Sequence, residues 1–248
     1  MKRETIDIHS YRLILEEQGD YLKRFEELLI NENRKYNLTR MTSPQQIRTR
    51  HFLDSLAGLA VLDELAIQLQ KPLRVLDIGS GAGFPGLVLA LARPDWSVVS
   101  LEATDKKARF QQTVCTAMGL NNVEIIYGRA EEMAHQTSFR EQFDAVTARA
   151  VASLPVLSEL ALGFLREQGL ALFWKGPNVE EETVNADGAA KQMGGRIEKI
   201  VTYMLPDKTE GSIDFSLVVC RKIHPTPKKY PRVFGMIKKQ PLGVPSKS

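Results

Sequence analysis

The sequence predicts an α/β fold with a mostly parallel, seven-stranded sheet that has helices on both faces and a helical extension before it. From residue 72 onward, short apolar runs alternate with helical patterns, which favours parallel strands covered by helices. The last two β-rich runs, RIEKIVTYML and FSLVVCRKI, are separated only by the polar stretch PDKTEGSID. That stretch is too short for a helix, so we predict an antiparallel hairpin at the end of the sheet.

The first 71 residues read as helical. The stretch SYRLILEEQGDYLKRFEELLI places leucines at helical spacing, and the polar, basic stretch NENRKYNLTR after it reads as a loop. A second long helix follows, for which Ser43 is the predicted N-cap and Pro44 the first helical residue. We therefore divide the chain into a helical segment (1–71), a catalytic domain (72–222) and a basic C-terminal tail (223–248).

The elements of the catalytic domain can be assigned in order. RVLDI is a strand, FPGLVLALAR a helix, SVVSLEA a strand, and DKKARFQQTVCTAMG a helix that ends at Gly119. The next strands are VEIIY, FDAVTARA and GLALFWK.

Composition indicates a water-soluble globular protein, with 43% hydrophobic and 25% charged residues among 248. The N-terminus lacks an apolar signal region, and no apolar run is long enough to span a bilayer. Cys115 and Cys220 lie far apart, and the four histidines show no metal-ligand spacing. We expect a cytoplasmic monomer with reduced thiols, no bound metal and no membrane association.

The formal net charge is only +3, but the charge is unevenly distributed. Residues 221–248 contain eight Lys or Arg and no carboxylate. This basic tail is either a solvated terminus or an arm that binds a polyanion. Tyr230 and Phe234 lie among the cations and favour nucleic acid, because aromatic rings stack on bases.

The glycine-rich stretch VLDIGSGAGFPG, residues 75–86, predicts a turn that holds a ligand. A triphosphate loop is excluded, because no lysine followed by Ser or Thr comes after the last glycine. The glycines do match the dinucleotide pattern G-x-G-x-x-G, and Glu102 follows at the end of the next strand. An NAD-dependent oxidoreductase is therefore one alternative.

Two features favour S-adenosylmethionine as the cofactor instead. Asp77 precedes the glycines, and its carboxylate would repel a pyrophosphate but attract a sulfonium and an ammonium group. The terminal hairpin is typical of class I S-adenosylmethionine-dependent methyltransferases, which have a Rossmann-like fold. We expect Glu102 to accept the ribose hydroxyls, and Phe84 either packs on the ligand or belongs to the core. The remaining predicted cofactor contacts are Gly79, Gly81, Gly83, Ala103, Thr104, Ala130 and Glu131.

The choice of methyl acceptor is narrowed by two motifs that the sequence lacks. The segment after the fourth catalytic-domain strand, TARAVASLP, has no Asn/Asp-Pro-Pro-aromatic turn for an exocyclic amine, and neither cysteine is placed to attack a pyrimidine carbon. An acceptor that is already nucleophilic, such as a purine ring nitrogen, needs only correct positioning. We assign Arg149 and Lys175, which end two strands, as the candidate catalytic residues; Arg149 contacts either the cofactor or the base.

With these motifs together, the chain resembles the bacterial 16S ribosomal RNA guanine-N7 methyltransferase family, also called glucose-inhibited division protein B. The resemblance rests on NRKYNLT, RHFLDSL, VLDIGSGAGFPG, Glu102 followed by DKKARF, ARAVASL, WKG and YPRVFGMIKKQPLG. It implies methylation of a guanine N7 in the decoding-region loop of small-subunit RNA. It also implies donor contacts from the glycine turn, Phe84, residues 102–104, Ala130, Glu131 and Arg149.

The RNA partner, as free 16S ribosomal RNA or as the small ribosomal subunit, requires basic contacts around the donor pocket. The candidates are Arg34, Lys35, Arg48, Arg50, His51, Lys228, Lys229 and Arg232. A non-catalytic RNA-binding protein is the other alternative.

Overall fold

Eight strands form one sheet in the computed structural model, which describes residues 2–207 and 211–244. The strands are β1 (Lys2–Thr5), β2 (Arg74–Ile78), β3 (Ser97–Glu102), β4 (Val123–Tyr127), β5 (Phe143–Arg149), β6 (Leu165–Lys175), β7 (Gly195–Asp207) and β8 (Gly211–Lys222). Their order across the sheet is β1-β7-β8-β6-β5-β2-β3-β4. Strand β8 runs antiparallel to both of its neighbours, and the other pairs are parallel. The predicted mostly parallel sheet with a terminal hairpin is confirmed.

The sheet has one strand more than the seven predicted. Strand β1 pairs in parallel with β7, and Thr5 lies opposite Thr202. Its sequence, KRET, has no apolar alternation and is largely exposed. It forms a strand because it pairs with the edge of β7, not because of its own residue pattern. The predicted domain boundaries stay predictions. Of the predicted turn over 206–214, residues 208–210 lie outside the described part of the chain, as do residues 245–248 of the tail.

The helices pack on both faces of the sheet. The α-helices are α1 (Arg12–Glu17), α2 (Gly19–Tyr36), α3 (Pro44–Ile47), α4 (Asp54–Leu56), α5 (Leu59–Leu69), α6 (Gly86–Ala92), α7 (Asp105–Met118), α8 (Ala130–Met133), α9 (Leu154–Ala161), α10 (Glu180–Gln192) and α11 (Phe234–Lys239). Short 3₁₀ helices cover Ile8–Tyr11 and Leu162–Phe164. Neighbouring residues of β2 contribute to opposite cores: Val75 packs on one face and Leu76 on the other. No described helix has both the length and the hydropathy that a bilayer crossing requires.

The prediction of a loop over 31–40 is wrong for its first six residues. Helix α2 continues to Tyr36 and ends at Asn37, which has a left-handed backbone with φ of 49°. The polar residues of this stretch include an ion pair one turn apart, Lys35 with Glu32, which helix formation favours. The loop proper begins at Asn37.

The second predicted helix begins as expected but is not continuous. The Ser43 hydroxyl accepts a hydrogen bond from the Gln46 N–H, which confirms the N-cap. After α3 the backbone forms a π-helical turn over Arg48–Leu53 before α4 and α5. Such turns are frequent at functional sites, and this one carries Arg50 and His51 to the cavity described below.

Candidate active site

Two cavities lie at the carboxyl ends of the parallel strands. The larger has a volume of about 530 Å³ and lies between the glycine turn, the π-helical turn and the ends of β5 and β6. The smaller, about 140 Å³, lies beside the ends of β3 and β4. Gly79 lines both cavities. A ligand that crosses Gly79 can therefore occupy the two together, as expected for open α/β sheets.

The glycine turn brings its backbone to the cavities because its glycines adopt left-handed conformations. Gly79, Gly81 and Gly83 have φ of +62°, +61° and +100°. A Cβ at Gly79 would lie 2.8 Å from the Val151 side chain, so a larger residue would close the passage between the cavities. Gly83 lines neither cavity and shapes the turn, and its contact with the cofactor stays a prediction.

Asp77 lies beneath the turn rather than in the cavities. Its side chain is fully buried; Oδ2 accepts a hydrogen bond from the Gly86 N–H at 2.9 Å, and Oδ1 accepts one from the Thr147 hydroxyl at 2.8 Å. Burial raises the pKa of this carboxyl to about 7. The expectation that Asp77 faces the cationic groups of the cofactor is therefore corrected: it holds the glycine turn onto the start of α6.

Glu102 ends β3 with both carboxylate oxygens fixed by backbone groups. Oε2 accepts from the Gly81 N–H and Oε1 from the Thr104 N–H, each at 2.8 Å. Each oxygen retains a further lone pair that a ribose hydroxyl can use. Thr104 thus acts through its backbone. Neither Thr104 nor Glu102 is part of either cavity wall; Glu102 lies next to the walls, bonded to Gly81 of the larger cavity and followed by Ala103 of the smaller one.

The smaller cavity has the composition of a site for a flat heteroaromatic ring. Its lining includes Ala103, Ala130 and Glu131, three residues predicted to surround the adenine. The remaining side chains of the wall are mainly apolar: Ile78, Leu101, Val151, Leu160 and Phe234. The Glu131 carboxylate is the acceptor that an exocyclic amine requires.

Arg149 is held rigidly in the wall of the larger cavity. Its Nη1 donates to the Asp54 carboxylate at 2.8 Å and to the Arg50 carbonyl at 3.1 Å, and its Nη2 donates to His51 Nδ1 at 3.0 Å. The guanidinium carbon lies 5.2 Å from the centroid of the Phe84 ring. These contacts fix its position before any substrate binds.

Phe84 lies in an aromatic stack that belongs both to the core and to the cavity. Its ring stacks on Phe25 at a centroid distance of 5.0 Å and on His51 at 4.4 Å. The two roles that the sequence left open for Phe84 are thus combined, because the ring also lines the larger cavity.

His51 is a neutral member of this stack. Burial, together with the charge of Arg149, lowers the pKa of His51 to about 3. Since Arg149 has no acceptor, Nδ1 of His51 accepts and Nε2 carries the proton, which it donates to the Thr39 hydroxyl at 2.8 Å. With both ring nitrogens engaged, the expectation that His51 contacts RNA phosphates is corrected.

Sequence reasoning missed a second group of cavity residues around Asp54. The buried Asp54 carboxylate accepts a hydrogen bond from the Tyr203 hydroxyl at 2.5 Å. The main-chain carbonyl of Asp54 accepts one from Trp174 Nε1 at 2.8 Å. Arg50 lies over the Phe215 ring, 4.4 Å from its centroid. Asp54 and Trp174 fall within the quoted motifs RHFLDSL and WKG, but nothing in their spacing indicated that they meet.

Two lysines also line the larger cavity. Lys175 Nζ donates to the Ala152 carbonyl and to Glu182 Oε1, each at 2.9 Å, so the side chain is held at the end of β6. Lys107, on α7, also forms part of the cavity wall, although it was not among the predicted site residues.

The predicted RNA contacts of the N-terminal segment lie in different surroundings. Arg50 is in the wall of the larger cavity, whereas Arg48 is paired with Glu26 at 2.7 Å and lies outside it. Arg34 and Lys35 are exposed in the last turn of α2.

Two of the predicted RNA contacts in the tail, Lys228 and Lys229, line neither cavity. Arg140, which precedes β5, donates to the carbonyls of Thr226, Pro227 and Tyr230. This contact places Lys228 and Lys229 near the amino ends of the strands, opposite the cavities.

The side chain of Arg232, which was predicted to contact RNA, binds another part of the protein. It is bonded to the fully buried carboxylate of Glu159 at 2.7 Å. The interpretation of Arg232 as a free RNA contact is corrected accordingly.

The cavities fit the cofactor that the sequence predicted. Open backbone at Gly79, a fixed carboxylate at Glu102 and a small apolar cavity with an acceptor at Glu131 match the parts of an adenosine linked to an amino acid. In the part of the chain that the structure describes, no group of three or more His, Cys, Asp or Glu could hold a metal ion.

Comparison with known proteins gives consistent matches along the chain. The family model described as rRNA small subunit methyltransferase G matches residues 18–209. The chain is 40% identical over 230 residues to ribosomal RNA small subunit methyltransferase G of Pelotomaculum thermopropionicum, covering 93% of each chain. It is 41% identical over 221 residues to the protein of the same name from Symbiobacterium thermophilum, covering 87% of each chain.

A solved structure shares the fold at low sequence identity. The branched-chain polyamine synthase C9 mutein from Thermus thermophilus, in complex with N4-aminopropylspermidine and 5′-methylthioadenosine, aligns with a TM-score of 0.54 and 16% identity. The alignment covers 70% of this chain and 56% of that one. At this identity the likeness concerns the fold alone.

Proposed function

The chain belongs to the rRNA small subunit methyltransferase G family, and we propose that it methylates the N7 atom of a guanine in 16S ribosomal RNA. It is a class I S-adenosylmethionine-dependent methyltransferase that acts on small-subunit ribosomal RNA. The choice of N7 as the methylated atom is the proposal, and it is argued from the geometry of the site.

The assignment of N7 as the methyl acceptor rests on one observation: the described residues of the larger cavity include no free general base and no thiolate. The Asp54 carboxylate is already bonded to Arg149 and Tyr203, and both nitrogens of His51 are engaged. Cys115 and Cys220 are buried elsewhere, and burial raises their pKa to about 11 and about 12. An exocyclic amine would have to lose a proton, whereas the N7 lone pair can attack directly.

Guanine is favoured over adenine by the charge of the cavity wall. Arg50, Lys107, Arg149 and Lys175 all line it, and each side chain is a hydrogen-bond donor. Beside N7, guanine presents the O6 acceptor, while adenine presents an amine. A wall of donors therefore pairs with guanine and leaves the adenine amine unmatched.

Catalysis on this account is mainly a matter of positioning. S-adenosylmethionine, when bound, supplies a methyl group activated by the sulfonium charge. Glu102, the backbone at Gly79 and the smaller cavity would hold it across the strand ends. Arg149 and Lys175 orient the base, and the half-buried Phe215 ring, with Arg50 over one face, adds an aromatic surface to the same wall. Holding donor and acceptor in line can supply much of the rate enhancement without proton transfer.

The partner is small-subunit ribosomal RNA. We further propose that the protein acts as a monomer and in the cytoplasm, where that RNA is assembled into subunits. All residues that line the 530 Å³ cavity come from one chain, as this proposal requires.

The experiment has two arms on purified protein. Calorimetric titration should show binding of S-adenosylmethionine and none of NADH; binding of NADH alone would restore the oxidoreductase alternative. The second arm incubates the protein and labelled donor with small-subunit RNA, or small subunits, from cells that lack the gene. Strand cleavage with borohydride and aniline then locates N7-methylguanine, and label that enters RNA without such a site would contradict N7.

A further inference from the structure

An aromatic side chain of the C-terminal tail lies in the wall of the smaller cavity. Phe234 begins α11 and lines this cavity together with Ala130 and Glu131, which come from a segment about one hundred residues earlier in the chain. The side chain is 36% exposed, so part of its ring is available to a ligand. The sequence indicated Phe234 only as an aromatic residue of an RNA-binding tail, and the donor contacts implied by the family resemblance do not include it.

The tail is fixed to the body on both sides of Phe234. On the amino side, Arg232 makes three hydrogen bonds to the buried Glu159 of α9, from its backbone N–H, its Nε and its Nη2. Tyr230 is buried, and the Pro231 carbonyl is hydrogen-bonded to His135. On the carboxyl side, Ile237 is completely buried. These anchors hold Phe234 in place rather than leaving it on a mobile terminus.

We propose that the tail is part of the methyl-donor site and that Phe234 covers the adenine ring when the donor binds. This inference rests on the proposed S-adenosylmethionine site, but not on the identity of the methyl acceptor. The ends of β2 and β3 supply two further apolar side chains of the same wall, Ile78 and Leu101. A planar ring among these apolar side chains can direct its amine to Glu131 and bury its faces.

The charge distribution of the tail agrees with this role. Among the described residues of the tail, the one in the cavity wall is aromatic, and the nearest tail cation in sequence, Arg232, is paired with Glu159. Stacking of an aromatic side chain on a base is worth about 1–3 kcal/mol, which corresponds to a change in affinity of roughly 5- to 150-fold. Loss of the Phe234 ring should therefore weaken donor binding by about tenfold.

The test measures ligand binding to the full chain with Phe234→Ala, Phe234→Tyr and the matched control Met236→Ala. Met236 lies on the same helix, is 52% exposed and does not line the cavity. We expect Phe234→Ala to raise the Kd for S-adenosylmethionine about tenfold, and Phe234→Tyr and Met236→Ala to leave it within twofold. The Kd for 5′-methylthioadenosine, which lacks the amino-acid part, should rise by the same factor as that for S-adenosylmethionine.

The outcomes separate this inference from the proposed function. If the unchanged protein binds no S-adenosylmethionine, the proposed function fails. If the unchanged protein binds it and Phe234→Ala binds it equally well, only the role of Phe234 fails. Equal losses in Phe234→Ala and Met236→Ala would show a general disturbance of the tail and would also overturn the specific contact. Because Phe234 is partly exposed, thermal unfolding of its variants should stay close to that of the unchanged protein.

Discussion

Individual residues of the site divide into those that face the ligand and those that hold others in place. Arg149 belongs to the first group, and Glu102 joins it on the proposed function; the guanidinium and the carboxylate are both fixed in advance by hydrogen bonds. Asp77 belongs to the second group, since it holds the glycine turn from below. Pre-organised groups of this kind lose little freedom when the ligand binds.

The buried carboxyl of Asp77 predicts a pH dependence of stability. Its pKa is about 7 in the folded protein, above the ordinary value of 3.8. The folded state therefore holds this proton more tightly than the unfolded chain does, and the contribution to stability is fully present below about pH 4. As the pH rises from about 4 to about 7, that contribution is lost.

Denaturant unfolding of the ligand-free protein and of Asp77→Asn checks this prediction. Asparagine stays neutral and can keep both hydrogen bonds, because the Thr147 hydroxyl can turn to accept. The free energy of unfolding of the unchanged protein should fall relative to the variant across this pH range and level off above it. A difference that rises with pH would mean that Asp77 is ionised in the fold. Substitution of the exposed Asp95 by Asn controls for the loss of a carboxylate elsewhere.

At the scale of elements, two segments contribute to the site in ways that their sequences did not indicate. The π-helical turn over Arg48–Leu53 interrupts a predicted helix and places Arg50 and His51 in the cavity wall. The basic tail folds back onto α9 and brings Phe234 to the donor site. In both cases the sequence pointed to functional residues in the right segment, but the contacts predicted for those residues were wrong.

The pairing of Arg232 with Glu159 predicts that the tail depends on one buried ion pair. Arg232→Met would leave the buried Glu159 carboxylate without its charged partner and with only the backbone N–H of residue 232 as a donor, and loss of one member of a buried ion pair typically costs about 3–5 kcal/mol. We expect the free energy of unfolding to fall by about that amount, unless the tail detaches first. In that case limited proteolysis will cut within residues 223–244. The exposed Lys239→Met should have neither effect, and Arg232→Met combined with Glu159→Leu should recover part of the loss.

The alternative for Arg232 gives a different result. If this arginine served RNA binding, Arg232→Met would lower RNA affinity while stability and protease resistance stayed unchanged.

The sequence was sufficient for the class of fold and for the donor motif, because both depend on local signals. The strand-turn-helix pattern around VLDIGSGAGFPG and the final β-rich pair are visible without tertiary information. Strand β1 was not, since four polar residues become a strand only where β7 offers an edge. The contacts of Asp54 with Tyr203 and Trp174 span more than one hundred residues, so no spacing rule can reveal them.

At the scale of the whole molecule, the distribution of charge separates two ends of the sheet. Arg50, Lys107, Arg149 and Lys175 surround the cavity at the carboxyl ends of the strands. Lys228 and Lys229 lie near the amino ends, beside the segment that Arg140 binds. An RNA that places its guanine in the cavity meets the first group, whichever way the rest of the strand runs.

This separation predicts which lysines and arginines set RNA affinity. Arg50→Ala combined with Lys107→Ala should weaken binding to small-subunit RNA and lower the slope of log affinity against log salt by about 1–2. Lys228→Ala combined with Lys229→Ala removes the same formal charge and should change neither quantity. Filter binding over a series of salt concentrations measures both. A loss confined to the second pair would restore the tail as the RNA-binding arm.

Methylation of a guanine N7 by this protein can be tested in cells by a map of N7-methylguanine in 16S ribosomal RNA from cells with and without the protein. The proposed function predicts one guanine that is methylated only when the protein is present. The methylation should return with the unchanged gene but not with Glu102→Gln. The NH2 group of glutamine cannot accept a hydrogen bond, so the side chain cannot accept from Gly81, Thr104 and the ribose together. An identical map in all of these cells would contradict the assignment.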